Sequence, residues 1–270
     1  MQNKGKTGFN FKRVVMAAVI LPLLILYIYY LPPVFYLGFL VVVAMLAMRE
    51  FYVMYKVPVH LYVPGVVIGG LLLYLACSYP YYVPGGIVGA FLLFLVMRLF
   101  IAQTPSGSMA EIGPLWAGLF YIPGFLSFHW LLRSKTDGAG YVLLLYFAVW
   151  LADSMAYYVG KYLGRNKLYP SVSPNKTVEG AVGSLLGGAG GAFIAKTTLH
   201  IPEISVTGAV TAGIVIGVST LVGDLIESMF KRDAGVKDSS GIIPGHGGLL
   251  DKIDGLLVSG PVFYVLVRYL

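Results

Sequence analysis

Charged side chains are scarce in this sequence. Asp, Glu, Lys and Arg together make up 11% of its 270 residues, whereas a soluble domain carries about 25%. Hydrophobic residues make up 58%, and the mean hydropathy is +0.81. A soluble core of this size cannot hide so much apolar surface, so the composition excludes a soluble globular domain. Most of the chain must be solvated by lipid.

Cysteine is nearly absent, and acidic residues are fewer than basic ones. The single Cys77 lies in an apolar stretch, which excludes an intramolecular disulfide and any metal site with cysteine spacing. The net charge is +7. In a soluble protein this excess would suggest a nucleic-acid partner. In a chain solvated by lipid it indicates basic loops facing anionic headgroups, so no nucleic acid is expected.

Long apolar runs are what the sequence does contain. A helix needs about 20 apolar residues to cross the hydrocarbon. The run that follows the basic residues of 1–13 is too long for a signal peptide and lacks a cleavage pattern, so we expect a retained helix there. Leu31-Pro32-Pro33 predicts a tight helical hairpin between the first two runs. The nine candidate segments are 14–31, 34–48, 61–78, 82–102, 113–132, 141–160, 180–197, 207–229 and 253–270.

The distribution of Lys and Arg predicts the orientation, because cytoplasmic loops are enriched in both. With the N-terminus in the cytoplasm, 15 of the 19 basic residues lie at cytoplasmic ends. The exceptions are Arg133, Lys135, Lys196 and Arg268. Eight spans would break this asymmetry in one half of the chain. The expected fold is therefore an all-α polytopic membrane protein with about nine transmembrane helices and a cytoplasmic N-terminus.

The two halves of the sequence differ in polarity. Residues 1–140 are apolar with sparse charge, and we expect them to form a scaffold, with a dimer interface or a lipid entry as further roles. Residues 141–270 carry most of the polar groups and form the expected catalytic region. The glycine-rich run Gly180 to Gly191 opens the seventh segment. It favours close helix packing; the alternative is a phosphate-cradling loop, which here would lack a P-loop lysine.

Two polar features precede that glycine run. Asp153 lies inside the sixth segment, where an ionisable residue suggests function or a bond to a neighbouring helix. The loop after this segment contains Ser173-Pro-Asn175-Lys176-Thr177-Val-Glu179 just before a helix start. Helix N-termini attract anions, so these side chains are suited to phosphate. A solvated turn with a helix cap is the alternative.

The densest polar region runs from Asp224 to Asp254 and holds six of the 12 acidic residues. Asp224, Glu227, Ser228 and Lys231 are spaced i, i+3, i+4 and i+7, which places them on one helix face. Asp251 and Asp254 are spaced i, i+3 at the start of the last segment. Carboxylates together with phosphates are the ligands that Mg²⁺ prefers, and the interleaved cations suit the same phosphates.

Within this region the sequence resembles the phosphatidate cytidylyltransferase (CDP-diacylglycerol synthase) family. The resemblance rests on Ser228-Met-Phe-Lys231-Arg232, Lys237-Asp238, Ser240, Ile243-Pro244, His246-Gly-Gly-Leu249, Asp251, Ile253 and Asp254, at fixed spacing without gaps. The stretches 153–160 and 173–180 are also similar to the family. Lys252 departs from the pattern, because the family usually has Arg there; lysine keeps the charge but loses a bidentate contact to phosphate.

The resemblance implies that CTP and phosphatidic acid react to CDP-diacylglycerol and pyrophosphate, with Mg²⁺, in a homodimer. CTP is available at the cytoplasmic face of the cell (inner) membrane, where the acyl chains can stay among membrane lipids. The phosphatidate phosphate is the nucleophile, so catalysis needs alignment and charge neutralisation rather than a nucleophilic side chain.

Each candidate residue is given a role on this basis. Asp224 and Asp251 are expected to bind the metal, with room for a second cation. Lys231, Arg232 and Lys237 are expected to act on phosphates, as is Lys176. The remaining substrate-binding candidates are Ser173, Asn175, Thr177, Asp153, Glu179, Lys252 and Asp254, and His246 is expected to contact the leaving pyrophosphate.

Three rival functions are weaker. A transporter would place charges near the midplane on broken helices in two related halves, but here they cluster at one face. A CDP-alcohol phosphotransferase would need a paired-aspartate motif, of which only Asp254-Gly255 is present. A scaffold protein would not need so many paired acids and cations.

Overall fold

The computed structural model describes residues 22–102, 104–242 and 247–270. Residues 22–30 are helical, and nine α-helices and one two-stranded sheet follow. The helices are α1 Pro33–Met54, α2 Val59–Ser78, α3 Val83–Ala102, α4 Ser108–Leu119, α5 Phe125–Arg133, α6 Gly138–Leu163, α7 Val178–Thr198, α8 Val206–Asp233 and α9 Leu250–Leu266. The strands are β1 Lys167–Tyr169 and β2 Ser173–Thr177.

The expected all-α membrane fold is confirmed. In the described ranges, seven helical stretches are long and apolar enough to cross a membrane. They comprise α1, α2, α3 with its preceding turn, α4 continued by α5, α6, α7 and α8. The last helix, α9, has 17 residues. Of the predicted first segment, only 22–31 lies within the described residues. The chain is therefore a multi-pass membrane protein.

The second segment is longer than predicted. We expected it to end at residue 48, before Arg49 and Glu50, but α1 continues to Met54. The charge of Glu50 does not end the helix, because its side chain is buried and accepts hydrogen bonds from distant donors. The predicted hairpin before α1 is present: a turn at residues 31–32 separates two helical stretches, and the Tyr27 hydroxyl donates to the Phe35 carbonyl across it.

Glycines bring the backbones of α6, α7 and α8 into direct contact. A Cβ atom at Gly183 would lie 2.8 Å from the Met155 carbonyl oxygen of α6. One at Gly188 would collide with the Gly213 carbonyl oxygen of α8, and one at Gly213 would collide with that of Gly188. Small residues permit such approach between membrane helices. The helix-packing interpretation of the glycine run is therefore confirmed, since the run lies within the continuous helix α7.

The fifth predicted segment is interrupted. Between α4 and α5, residues Phe120–Gly124 form a π-helical turn that contains Pro123. Proline lacks a backbone N–H, so the regular hydrogen-bond ladder cannot continue through it. The helical path nevertheless continues to Arg133.

A β-hairpin stands where the sequence predicts a loop. β1 and β2 pair antiparallel, with Lys167 opposite Thr177 and Tyr169 opposite Ser173. The Glu179 carboxylate accepts from the backbone N–H groups of Arg165 and Asn166, which draws the hairpin against the start of α7. The hairpin thus fixes residues 173–177 directly before α7.

Buried polar contacts join the two halves of the chain. Tyr36 of α1 and Tyr146 of α6 share a hydrogen bond of 3.0 Å. His129 of α5 lies 3.1 Å from the Leu256 carbonyl of α9 through its Nε2 atom. Buried polar groups without partners are costly in an apolar environment. These contacts therefore fix how the N-terminal helices lie against α6 and α9.

The glycine contacts can be tested with one pair of variants. Gly188→Ala puts a methyl group against the backbone of α8, and such overpacking costs about 1–3 kcal/mol. Gly190→Ala is the matched control, because its Cβ would lie at an ordinary 3.5 Å from Leu151. We expect thermal unfolding in detergent to shift downward for Gly188→Ala alone. Equal stability of the two variants would contradict the packing.

Candidate active site

A cavity of about 600 Å³ opens at one end of the helical bundle. It is lined by four helices and by β2. The polar and charged residues in its wall are Asp153, Tyr157, Lys161, Asn175, Lys176, Thr177, Ser184, Asp224, Asp251 and Asp254. The predicted cluster is therefore assembled from distant segments, and the deep acid Asp153 belongs to it.

Three carboxylates converge at this cavity, and two of them, Asp224 and Asp254, belong to its wall. Asp224 and Glu227 lie one turn apart on α8, and Asp254 lies on α9; one oxygen of each falls within 4.8 Å of the others. The two helices approach closely there, because a Cβ at Gly223 would collide with the Asp254 carbonyl. Glu227 is fully buried, and its Oε1 has no hydrogen-bond partner among the described residues. Converging acids with an unsatisfied oxygen fit a hard divalent cation.

Asp251 is held apart from that group by its own partners. Its Oδ1 atom pairs with Lys231 Nζ at 2.6 Å. Its Oδ2 atom accepts from the Ser239 hydroxyl at 2.8 Å and from the Gly248 N–H at 2.7 Å. Lys231 also pairs with Glu227. The predicted ligand Asp251 thus reaches the three acids through a shared lysine.

The hairpin contributes the other paired cation. Lys176 Nζ lies 2.6 Å from Asp224 Oδ2. Thr177 caps α7 by accepting from the Gly180 N–H at 3.1 Å, and Asn175 lies beside them in the cavity wall. Of the loop residues predicted to meet phosphate, these three line the cavity, whereas Ser173 begins β2 and is not in the wall.

Several predicted residues lie outside the cavity wall. Arg232 is exposed and donates to the carbonyls of Val172 and Val236. Glu179 binds the backbone before β1 instead of facing the acids. Lys237 and Lys252 are exposed. Residues 243–246, and with them His246, lie outside the described residues.

Sequence reasoning missed Glu50 of α1. It is 1% exposed and accepts hydrogen bonds from Ser240 and Leu249, near the two ends of the 239–250 segment. Its only sequence signal was an acid directly after an apolar run.

Tyr157 and Lys161 were also missed. Tyr157 lies one turn beyond Asp153 on α6, and Lys161 lies two turns beyond it. The Nζ atom of Lys161 is 5.6 Å from the centre of the Tyr157 ring.

A second contact fixes the end of α8 against α1. The Tyr55 hydroxyl donates to Asp233 Oδ2 at 3.0 Å. Burial, together with the hydrogen bond and negative charge of Asp233, raises the pKa of Tyr55. The hydroxyl therefore stays protonated at neutral pH and remains a donor. The C-terminal ends of α1 and α8 are thereby joined beside the site.

The sequence matches the model of the cytidylyltransferase family over residues 11–270. It is 39% identical over 205 residues to the phosphatidate cytidylyltransferase of Synechocystis, which covers 64% of this chain and 68% of that protein. The Thermotoga maritima phosphatidate cytidylyltransferase is 35% identical over 180 residues, with coverage of 65% and 66%. That of Staphylococcus aureus (strain COL) is 37% identical over 146 residues, or about half of each chain (53% and 54%).

The shared lysine can be tested by charge removal. Lys231→Met leaves Glu227 and Asp251 without their cation, and the loss of one partner from a buried ion pair costs roughly 3–5 kcal/mol. Adding Glu227→Gln should recover part of this loss, because it removes one uncompensated charge. We expect the melting temperature to fall most for Lys231→Met and less for the double variant. Lys237→Met, which changes an exposed lysine, should melt at the temperature of the parent protein. Additive losses in the double variant would contradict the pairing.

Proposed function

This chain belongs to the cytidylyltransferase family, and on that premise we propose that it transfers the cytidylyl group of CTP to phosphatidic acid, giving CDP-diacylglycerol and pyrophosphate. The observation that carries the proposal is the cavity in which acids and lysines of four helices and a hairpin meet at one end of a membrane bundle. Such a position lets a nucleotide enter from water while acyl chains stay in lipid.

The reaction places few demands on side-chain chemistry. An oxygen of the phosphatidate phosphate attacks the α-phosphorus of CTP, and the bond from that phosphorus to the bridging oxygen of the β-phosphate breaks. The attacking oxygen is already an anion, so the side chains must align two phosphates and reduce their repulsion. Lys176 lies in the wall, and Lys231 reaches it through Asp251; we propose that these two cations contact the phosphates.

We further propose that the site uses Mg²⁺. Asp224, Glu227 and Asp254 would hold the ion, since their oxygens converge and Glu227 has an unsatisfied one. A bound divalent cation would neutralise charge on the phosphates of CTP. Asp251 lies in the same wall, and its role as a ligand stays a prediction, as does the second cation.

Orientation and assembly are part of the same proposal. The excess of Lys and Arg at the end of the bundle that holds the cavity favours a cytoplasmic site in the cell (inner) membrane. A homodimer is proposed from the family resemblance. Residues 1–140 would then serve as scaffold, with α1 in direct contact with the catalytic half.

The direct experiment is a transfer assay. Purified protein in detergent would be given CTP, labelled at the α-phosphate, and phosphatidic acid, with and without Mg²⁺. We expect label in CDP-diacylglycerol and an equal amount of pyrophosphate, only when Mg²⁺ is present. Bound CTP without a lipid product would contradict the proposed acceptor, and full activity in EDTA would contradict the metal.

Asp251→Asn should stop turnover and leave the protein extractable. The amide removes the charge that faces Lys231, and loss of a group that stabilises charge in a site typically costs at least about a hundredfold in rate. Glu203→Gln is the control, because this exposed acid lies in the turn between α7 and α8, at the opposite end of the bundle. Near-normal turnover of Asp251→Asn would refute its role.

A further inference from the structure

We propose that Glu50 is a positioning residue of the active site: it fixes both ends of the 239–250 segment, and through them Asp251 and the start of α9. This inference rests on the proposed function and extends it to the N-terminal half of the chain. Glu50 lies outside the cavity wall, and its hydrogen bonds among the described residues go to Ser239, Ser240, Leu249 and Leu250 rather than to the three converging acids.

The Glu50 carboxylate is fully engaged. Its Oε1 atom accepts from the Ser240 hydroxyl at 2.7 Å and from the Leu249 N–H at 2.9 Å. Its Oε2 atom accepts from the Leu250 N–H at 2.8 Å and lies 3.2 Å from the Ser239 hydroxyl. One carboxylate therefore binds residues on both sides of the intervening segment and brings them together.

Glu50 also supplies the cap that α9 lacks. Helix N-termini leave backbone N–H groups without partners, and Leu249 at the N-cap position has no side-chain cap hydrogen bond. Glu50 accepts from the N–H groups of Leu249 and Leu250 and places its charge at the positive end of the helix. Since Asp251 is the next residue, the position of its side chain depends on this capping.

Ser239 links Glu50 to Asp251. Its hydroxyl lies within hydrogen-bond distance of both carboxylates, and its N–H donates to Asp251 Oδ2 at 3.1 Å. Gly248 passes between the same groups, where a Cβ would collide with the Ser239 hydroxyl and the Glu50 carboxylate. A displacement of Glu50 must therefore move the partners that hold Asp251 against Lys231.

Only a carboxylate at this position can satisfy both backbone donors. The two N–H groups bind different oxygens, so the amide of Glu50→Gln would point its NH₂ group at one of them. We expect turnover to fall about 10- to 100-fold, as for other residues that orient a ligand group. The KM for CTP should change little, because Glu50 lies outside the cavity wall. Glu50→Asp keeps the charge but is one methylene shorter, so its turnover should lie between those of the parent and Glu50→Gln.

Local order provides a readout that does not depend on activity. A nitroxide spin label at Ile242→Cys, in a Cys77→Ser background, would report on the segment, since Ile242 is 54% exposed. We expect Glu50→Gln to narrow the room-temperature spectrum, which indicates greater mobility. Glu203→Gln is the matched control, because this exposed acid lies in the turn between α7 and α8, at the opposite end of the bundle. Its spectrum and turnover should match those of the parent.

Two results would overturn the inference. One is parental turnover in Glu50→Gln. The other is lost turnover with an unchanged label spectrum and a lowered melting temperature, as expected of a residue that only supports the scaffold. If the parent protein itself transfers no cytidylyl group to phosphatidic acid, the proposed function fails. The comparison of label spectra still decides whether Glu50 fixes the segment.

Discussion

Direct contact between helix backbones is the constraint on which the cavity depends. The glycines of α7 allow α6 to approach on one side and α8 on the other, and Gly223 allows α9 to approach α8. At these short separations, carboxylates from three helices can face one space. Membrane helices gain little from the hydrophobic effect against one another, so close packing and polar contacts determine their arrangement. The glycines are thus as much a part of the site as the charged residues.

Charge within the cavity is unevenly matched. Lys176 pairs with Asp224, and Lys231 is shared between Glu227 and Asp251, while Asp254 has no ion-pair partner among the described residues. A cluster with more acids than cations attracts positive charge and repels phosphate. In the proposed reaction, additional cations would offset the repulsion between these acids and the two phosphate-bearing substrates. This imbalance supports the proposed use of a divalent cation, and it does so independently of the family resemblance.

Local patterns in the sequence were sufficient to predict much of the fold and the site. The helical spacing of Asp224, Glu227 and Lys231 is realised on α8, and Asp153 faces the predicted acids. Features that depend on distant partners were not predictable. The sequence around Glu50 indicated only the charged end of an apolar run, because the partners of this residue lie about 190 to 200 residues away. The hairpin strands have three and five residues, too few to show a periodicity.

The contact of Glu50 with α9 determines which fragments of this protein can keep an intact site. A fragment beginning at residue 141 would retain every acid of the cavity and both of its paired lysines. It would nevertheless lose the cap on α9, and the N–H groups of Leu249 and Leu250 would be left in a poorly hydrated region without an acceptor. The smallest fragment expected to fold and function therefore includes α1. A shorter fragment that contains only the signature motifs would keep the site residues but lose the contacts that fix their positions.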